Sequence, residues 1–354
     1  MTENDSLSRR VFLKKIVLAG LGIAAGAYAL SRLFRENPVV PGGLGQSSQS
    51  ESELSAPWKW SREGYHYLKL GENVRCQVCP NECILREGQR SVCRNKTNYG
   101  GVLHTLAYGN PCAVHIDPIE KKPLFHFLPG TSAFSIATAG CNFRCLNCQN
   151  WEISQRGPEE RDGELFPEQV IEQAAQTGCH SIAYTYSEPT AWYEYMYDTS
   201  VLAAQRGIRN VWVTNGYMNE TPLKDLSQYL DAANVDLKSF SEEIYNTLNS
   251  GTLEPVLNTL KTLRDERVWF EVTNLVVPTW TDDMDMIAEM CAWLYQNIGA
   301  DYPLHFSRFN PAYKLLNLPQ TPYETLKEAR QIALDSGLNY VYICLLYTSD
   351  AADE

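Results

Sequence analysis

The chain has 354 residues, enough for one large domain or two smaller ones with a sizeable core. Its 42 acidic and 30 basic residues give a net charge of −12, which argues against nucleic acid as a partner. Seven of the eleven cysteines fall into two clusters, a pattern typical of metal ligation rather than of a disulfide framework.

The first 36 residues resemble a twin-arginine export signal. Arg9 and Arg10 lie in "SRRVFLKK" and precede an apolar stretch from Ile16 to Leu30. As a helix this stretch would span roughly 22 Å, less than the roughly 30 Å of a bilayer core. An uncleaved membrane anchor is the alternative, so membrane contact by this segment stays open. Residues 37–56 are rich in Gly, Ser and Pro and predict a flexible linker.

Residues 57–130 are predicted to form a small N-terminal four-cysteine module with its own metal. The motif is "CQVCPNECILREGQRSVC", whose spacing is C-x2-C-x3-C-x9-C. Four thiolates can close a tetrahedral zinc site, and they can equally hold an auxiliary iron-sulfur cluster. Thiolates suit both, so the metal stays open. The expected ligands are Cys76, Cys79, Cys83 and Cys93.

Residues 131–343 alternate short β-branched or aromatic runs with amphipathic segments such as 167–178 and 283–299. This alternation predicts right-handed βαβ crossovers and a parallel sheet. Six strand-helix units are fewer than the eight of a full barrel, so we expect an α/β fold with an open, partial (β/α)6 TIM-like barrel. The predicted strands are 134–140, 181–187, 209–216, 232–238, 268–277, 302–309 and, more weakly, 339–343.

The stretch "GCNFRCLNCQN", residues 140–150 and hereafter the cluster loop, follows the first of these strands. It places Cys141, Cys145 and Cys148 in a C-x3-C-x2-C spacing among polar neighbours, which argues against simple core packing. A 4Fe-4S cluster is usually held by four cysteines, so three thiolates leave one iron open, as a catalytic metal site does. Zinc with a distant fourth ligand is the alternative.

The cluster loop matches the signature of radical S-adenosylmethionine (SAM) enzymes. Together with "DPIEKKPLFHFLPG", "CQNWEISQ", "YTYSEPT", "VTNGY", "VDLKSF" and "PLHFSRFNP", it resembles the radical SAM member of the AmmeMemoRadiSam system, a relative of the pyruvate formate-lyase activating enzymes. The resemblance covers about residues 70–343. It implies that the three cysteines hold a 4Fe-4S cluster whose open iron binds SAM. Reductive cleavage would then give a 5'-deoxyadenosyl radical that abstracts hydrogen from an unknown substrate.

The same resemblance implies which residues bind SAM. Glu188 and Pro189 match the family position that meets the SAM amino group, and the alternative is a carboxylate that accepts loop amides. Asp236 and Lys238 match SAM-contacting positions, and the alternative is an ion pair within the barrel. His305 matches a SAM-contacting histidine, and the alternative is a structural role.

The implied partners are SAM, a low-potential electron donor such as flavodoxin or ferredoxin, and other AmmeMemoRadiSam proteins. Such chemistry favours a cytoplasmic-facing anchor over export, and the compartment stays open. A glycyl-radical enzyme activase is the closest alternative function, and a non-catalytic iron-sulfur electron carrier is an alternative from another class. Residues 344–354, "CLLYTSDAADE", resemble a translated sequencing adaptor, so we expect them not to be native and give Cys344 no role.

Overall fold

The computed structural model describes residues 58–158 and 164–344. The predicted signal or anchor (1–36), the linker (37–56) and all but the first residue of the predicted tail lie outside these residues. Across both described stretches, no helix is long and apolar enough to cross a membrane.

Short antiparallel strands occupy the region before residue 106. They form two sheets in the described residues, with orders β1-β6-β5 and β2-β3-β4. Gly100 and Gly101 both have positive φ, 60° and 74°, in the two-residue turn between paired Tyr99 and Val102. Such a turn matches the right-handed twist of a hairpin. The strands are β1 (Arg62–Glu63), β2 (Tyr67–Leu70), β3 (Asn73–Cys76), β4 (Ile84–Leu85), β5 (Lys96–Tyr99) and β6 (Val102–Thr105).

The main sheet has eight strands in the described residues, in the order β14-β13-β12-β11-β10-β9-β8-β7. All neighbours are parallel except β7 and β8, which pair antiparallel. The strands are β7 (Ala113–Pro118), β8 (Ser132–Ala137), β9 (Ser181–Tyr184), β10 (Arg209–Thr214), β11 (Ala232–Asp236), β12 (Trp269–Val276), β13 (Leu304–Arg308) and β14 (Val341–Cys344).

Helices alternate with the parallel strands. The α-helices are α1 (Trp151–Ser154), α2 (Pro167–Gln176), α3 (Tyr193–Gln205), α4 (Glu220–Ser227), α5 (Glu242–Ile244), α6 (Leu253–Asp265), α7 (Met284–Asn297) and α8 (Tyr323–Asp335). Short 3-10 helices cover Ile119–Lys121 and Pro189–Trp192, and a π-helical turn covers Tyr245–Asn249. This architecture confirms the predicted α/β fold with a parallel sheet, as in a partial TIM-like barrel.

The two faces of the sheet are filled differently. Large apolar residues such as Phe134 and Ile182 pack outward into the main core with the helices. Small residues such as Ala133 and Ala183 lie on the other face, where Leu124 packs against them. Because residues alternate between faces along a strand, these small side chains leave space inside the barrel. The segment that follows β7 fills that space.

Strand β7 lies at one end of the sheet and begins at residue 113, upstream of the predicted module boundary at 130. The last part of the predicted module therefore pairs directly with the barrel. Val114 and Ile116 on β7 are 38% and 52% exposed, while Asp117 between Ile116 and Pro118 is buried.

Candidate active site

The cluster loop leaves the sheet at the C-terminal end of β8, where the functional groups of parallel α/β folds gather. Its backbone is held by a later segment of the chain. The Arg144 N–H donates to the Asn249 carbonyl at 2.9 Å, and the Leu146 N–H donates to the Leu248 carbonyl at 2.9 Å. The Lys314 N–H donates to the Leu146 carbonyl at 3.0 Å. Backbone hydrogen bonds to later parts of the barrel therefore hold the loop in place without a ligand.

Phe143 anchors the loop between its first two cysteines. The ring is fully buried, and its centroid lies 4.8 Å from that of Tyr217. A Cβ added at Gly251 would lie 2.2 Å from Phe143 Cε1. Gly251 is thus needed for the ring to occupy this position.

Each cluster-loop sulfur has hydrogen-bond donors nearby. The Phe143 N–H donates to Cys141 Sγ at 3.3 Å, and Asn249 Nδ2 donates to Cys145 Sγ at 3.2 Å. Ser154 and the Asn150 backbone interact with the Cys148 thiol. Donors of this kind tune iron-sulfur clusters.

Cys145 is buried, Cys141 and Cys148 are partly buried, and the three thiols lie close enough to influence one another electrostatically. Burial raises the pKa of each, in Cys148 to about 11. Metal binding to such thiols therefore releases protons.

Glu188 joins two rim loops. Its Oε1 accepts from the Thr190 N–H at 2.9 Å, the Thr190 hydroxyl at 2.6 Å and the Thr214 hydroxyl at 2.9 Å. Its Oε2 accepts from the Asn215 N–H at 2.8 Å. Burial raises the pKa of Glu188, which lies near enough to influence the pKa of Cys141. The carboxylate accepts loop amides, as in the alternative interpretation, and Pro189 begins the short helix behind it.

A carboxylate can accept about four hydrogen bonds, about two at each oxygen. Three reach Oε1 of Glu188 and one reaches Oε2 in the described residues. Oε2 therefore keeps capacity for an ammonium hydrogen, and contact with SAM stays a prediction.

Asp236 and Lys238 form an ion pair of 2.8 Å at the C-terminal end of β11. Their side chains are 36% and 23% exposed, so they are accessible to a ligand. Both influence the pKa of Cys145, which places them beside the cluster loop. The ion pair of the alternative interpretation is present, and contact of these two residues with SAM stays a prediction.

His305 lies in a different environment. The side chain is fully buried, and its Nε2 lies 2.7 Å from Glu271 Oε2. Glu271 also accepts from the N–H groups of Phe125 and His126 at 3.0 and 2.7 Å. The other ring nitrogen lies 3.4 Å from Cys344 Sγ, in the predicted adaptor tail. These contacts give His305 a structural role, and its SAM contact stays a prediction.

Lys122, in the "DPIEKKP" segment before β8, is buried. Lys122 Nζ pairs with Asp117 Oδ2, which also accepts from the Tyr186 hydroxyl. Nζ lies 4.4 Å from the centre of the Tyr186 ring. Asn150 of the cluster loop donates to the Tyr186 carbonyl at 2.7 Å. The pair therefore supports the loop after β9 from inside the barrel.

The second set of cysteines, hereafter the four-cysteine site, consists of Cys76, Cys79, Cys83 and Cys93. Electrostatic interactions link all four thiols. Each sulfur also has a hydrogen-bond partner. The Val92 N–H donates to Cys83 Sγ at 3.4 Å, and the Ser91 hydroxyl lies 3.1 Å from Cys93 Sγ. The backbone of Val78 interacts with Cys76, and that of Asn81 interacts with Cys79.

Within residues 58–158 and 164–344, no group of three or more His, Cys, Asp or Glu side chains is arranged to hold a metal ion. A cube-type cluster makes a different geometric demand from a single ion, because each thiolate binds its own iron. Both metal assignments therefore rest on thiol spacing and on the donors to sulfur.

Comparison with known proteins identifies the family. A model of the radical SAM superfamily matches residues 135–291, which include the cluster loop. An uncharacterised protein of Methanocaldococcus jannaschii is 50% identical over 284 residues, covering 80% of this chain and 84% of the relative. The chain belongs to the radical SAM superfamily. It is therefore an enzyme of the superfamily, and a 4Fe-4S cluster and SAM follow as cofactor and co-substrate.

A more distant sequence relative and a solved structure are also similar to this radical SAM enzyme. The pyruvate formate-lyase 1-activating enzyme of Escherichia coli is 26% identical over 152 residues, covering 41% of this chain and 61% of the relative. A solved radical SAM methyltransferase from Sphaerobacter thermophilus is similar with a TM-score of 0.48 and 13% identity. The similarity covers 62% of this chain and 67% of that chain.

Sequence reasoning missed the asparagines that surround the cluster loop in this radical SAM enzyme. Asn249 lies in the π-helical turn and donates to a cysteine sulfur. Asn215 Nδ2 donates to Asn142 Oδ1 at 2.8 Å and lies 3.9 Å from Cys141 Sγ. For Asn142 and Asn215 the signal was the number of asparagines in "CNFRCLNCQN" and "TNG", and spacing alone does not assign partners to them. Asn249 lies in neither motif.

Proposed function

We propose that this radical SAM enzyme cleaves SAM reductively at a cluster held by Cys141, Cys145 and Cys148, and that it abstracts hydrogen from its substrate. The supporting observation is the position of three thiols on one rim loop, beside Glu188 and the Asp236–Lys238 pair. When bound, the cluster supplies one electron to SAM, which yields methionine and a 5'-deoxyadenosyl radical.

The surrounding residues have separate tasks in this proposal. Glu188 Oε2 accepts a hydrogen bond from the SAM ammonium, because a buried carboxylate binds an ammonium strongly. The Asp236 carboxylate suits ribose hydroxyls, and Lys238 holds it in place through their 2.8 Å ion pair. The buried ring of Phe143, packed against Tyr217, anchors the loop that carries the cysteines.

Membership of the AmmeMemoRadiSam branch is part of this proposal, supported by the motifs on the rim. The likeness to the Escherichia coli activating enzyme supports a second candidate, activation of a glycyl-radical enzyme. In either case a low-potential one-electron donor is required, such as flavodoxin or ferredoxin.

The decisive experiment loads the full chain with iron and sulfide anaerobically, reduces it, adds SAM and quantifies 5'-deoxyadenosine. The matched control is Cys145→Ala, which removes one thiolate from the loop. Product above the control supports the proposal. A spectroscopically intact cluster that yields no product overturns it.

SAM binding tests the role of Glu188 without turnover. Glu188→Gln removes the charge, and a hydrogen bond to a charged group contributes about 1.5–3 kcal/mol. We therefore expect the Kd for SAM, measured by calorimetry, to rise about 10- to 100-fold. Glu168→Gln is the control, because Glu168 is exposed on α2. Unchanged affinity in a Glu188→Gln protein with wild-type circular dichroism would exclude the contact.

A further inference from the structure

The four-cysteine site packs directly against the cluster loop. Gly140 immediately precedes Cys141 and has a φ of +103°. A Cβ at Gly140 would lie 2.5 Å from the Cys93 carbonyl oxygen. Asn95 Nδ2 donates to the Ala139 carbonyl at 2.6 Å. The backbone of Cys93, in the four-cysteine site, therefore packs against Gly140, the residue next to Cys141 of the cluster loop.

Side chains also cross between the two sites. Arg144 of the cluster loop donates to the Val92 carbonyl, next to Cys93. Asn81, between Cys79 and Cys83, donates through Nδ2 to the Asn142 carbonyl at 2.9 Å. The pKa of Arg94 is lowered chiefly by burial, and this guanidinium also interacts electrostatically with Cys93 and Cys141.

The four-cysteine site repeats the spacing of the cluster loop in reverse. Its first three thiols follow C-x2-C-x3-C, and those of the cluster loop follow C-x3-C-x2-C. Each set spans eight residues, a compactness typical of iron-sulfur ligation. The four-cysteine site adds a fourth thiolate, Cys93, and so leaves no iron open. A fully ligated cluster suits electron transfer rather than substrate binding.

The segment that holds the four-cysteine site is positively charged in an acidic protein. Residues 75–94 hold four arginines and two glutamates, a net charge of +2, whereas the whole chain carries −12. Arg86 and Arg90 are exposed, as are Glu82 and Glu87, and Arg75 and Arg94 are partly exposed. Such a local reversal of charge favours the approach of an acidic partner.

We propose that the four-cysteine site holds an iron-sulfur cluster that relays electrons to the cluster loop from an acidic one-electron carrier docked on the arginines. The carrier is oxidised by one electron as the cluster at the four-cysteine site is reduced. That cluster is then reoxidised as the catalytic cluster is reduced. No bond is made or broken, and no proton is required. The inference rests on the proposed function.

Metal analysis of the full chain tests the first step. A triple variant with Cys141, Cys145 and Cys148 changed to Ala keeps only the four-cysteine site. We expect this variant to retain about four iron atoms per chain and to show a reduced-cluster signal in electron paramagnetic resonance. Zinc in place of iron, or no metal in a variant with wild-type circular dichroism, overturns the proposal. If the variant does not fold, the iron content of the wild-type chain decides. About eight iron atoms per chain support two clusters, and about four overturn the cluster at the four-cysteine site.

Stopped-flow reduction tests the second step, with purified flavodoxin hydroquinone as the probe. The double variant Arg86→Glu/Arg90→Glu should be reduced at least about tenfold more slowly than wild type at low salt, with a weaker salt dependence. Arg206→Glu/Arg209→Glu, at the C-terminal end of α3 and the start of β10, is the matched charge control. Photoreduction by deazaflavin should be equal in all variants. Equal rates with flavodoxin overturn the relay.

The two proposals fail differently. A photoreduced protein that cleaves SAM while its four-cysteine site holds zinc overturns only the relay. A photoreduced protein that holds both clusters and leaves SAM intact overturns the proposed function, and the iron count and flavodoxin rates still decide the relay.

Discussion

The buried ion pair between Lys96 on β5 and Glu194 on α3 joins the N-terminal sheets to the barrel. Both side chains are 1% exposed. Removing one partner of a buried pair typically costs about 3–5 kcal/mol, because the other charge is left unpaired. At roughly 2–4 °C per kcal/mol for a domain of this size, Lys96→Met should lower the melting temperature by about 10 °C.

Thermal unfolding of the full chain, followed by circular dichroism under anaerobic conditions, measures this change. Glu194 Oε1 also accepts from the Tyr65 N–H at 2.9 Å, and a glutamine at position 194 keeps an acceptor for this N–H. Lys96→Met/Glu194→Gln should regain most of the lost stability, since neither charge then remains buried. Lys59→Met is the control, because its pair with Glu164 is exposed and contributes less than about 1 kcal/mol. A Lys96→Met midpoint within about 2 °C of wild type, or a double variant no better than the single, would refute this reasoning.

Three further predictions concern the barrel and its rim. Gly251→Ala should displace the Phe143 ring at a cost of about 1–3 kcal/mol and reduce the iron bound per chain, and full iron content would contradict this. Asn249→Ala removes a hydrogen bond to sulfur of about 1 kcal/mol, so a redox titration should show a cluster potential about 40 mV lower; an unchanged potential would exclude this bond. Burial alone would raise the pKa of Asp117, but Lys122 holds it well below its usual value. The stability that Asp117 contributes is therefore present above about pH 4 and lost as the pH falls through the folded pKa. Asp117→Asn should flatten the acid side of the melting temperature profile, and an unchanged slope would assign the loss to other groups.

The parallel strands could be predicted from the sequence because each is a short β-branched or aromatic run. The predicted strand 209–216 forms β10, Arg209–Thr214. The prediction continues beyond the strand because "NG" belongs to the rim loop. Gly216 turns there with a φ of +70°. Local sequence therefore locates the strand, whereas its exact end depends on the rim contacts.

The contacts of the site residues could not be predicted in the same way. His305 pairs with Glu271, 34 positions earlier in the chain, and spacing carries no information about such a partner. Strand β7 carries the alternation Val114, His115, Ile116, Asp117, which is a readable strand pattern. Its antiparallel pairing with β8 depends on the tertiary fold.

Strand β7 also bears on how the protein behaves at high concentration. It is an end strand of the described sheet, and Val114 and Ile116 present apolar side chains outward. An exposed edge of this kind is a site for intermolecular strand addition and aggregation. The inward charge of Asp117 and the ring of Pro118, which has no backbone N–H, both oppose such addition. Replacing Pro118 should shorten the shelf life of concentrated samples even where the folded enzyme is unaffected, whereas replacing Asp117 also removes the stability of its buried pair with Lys122.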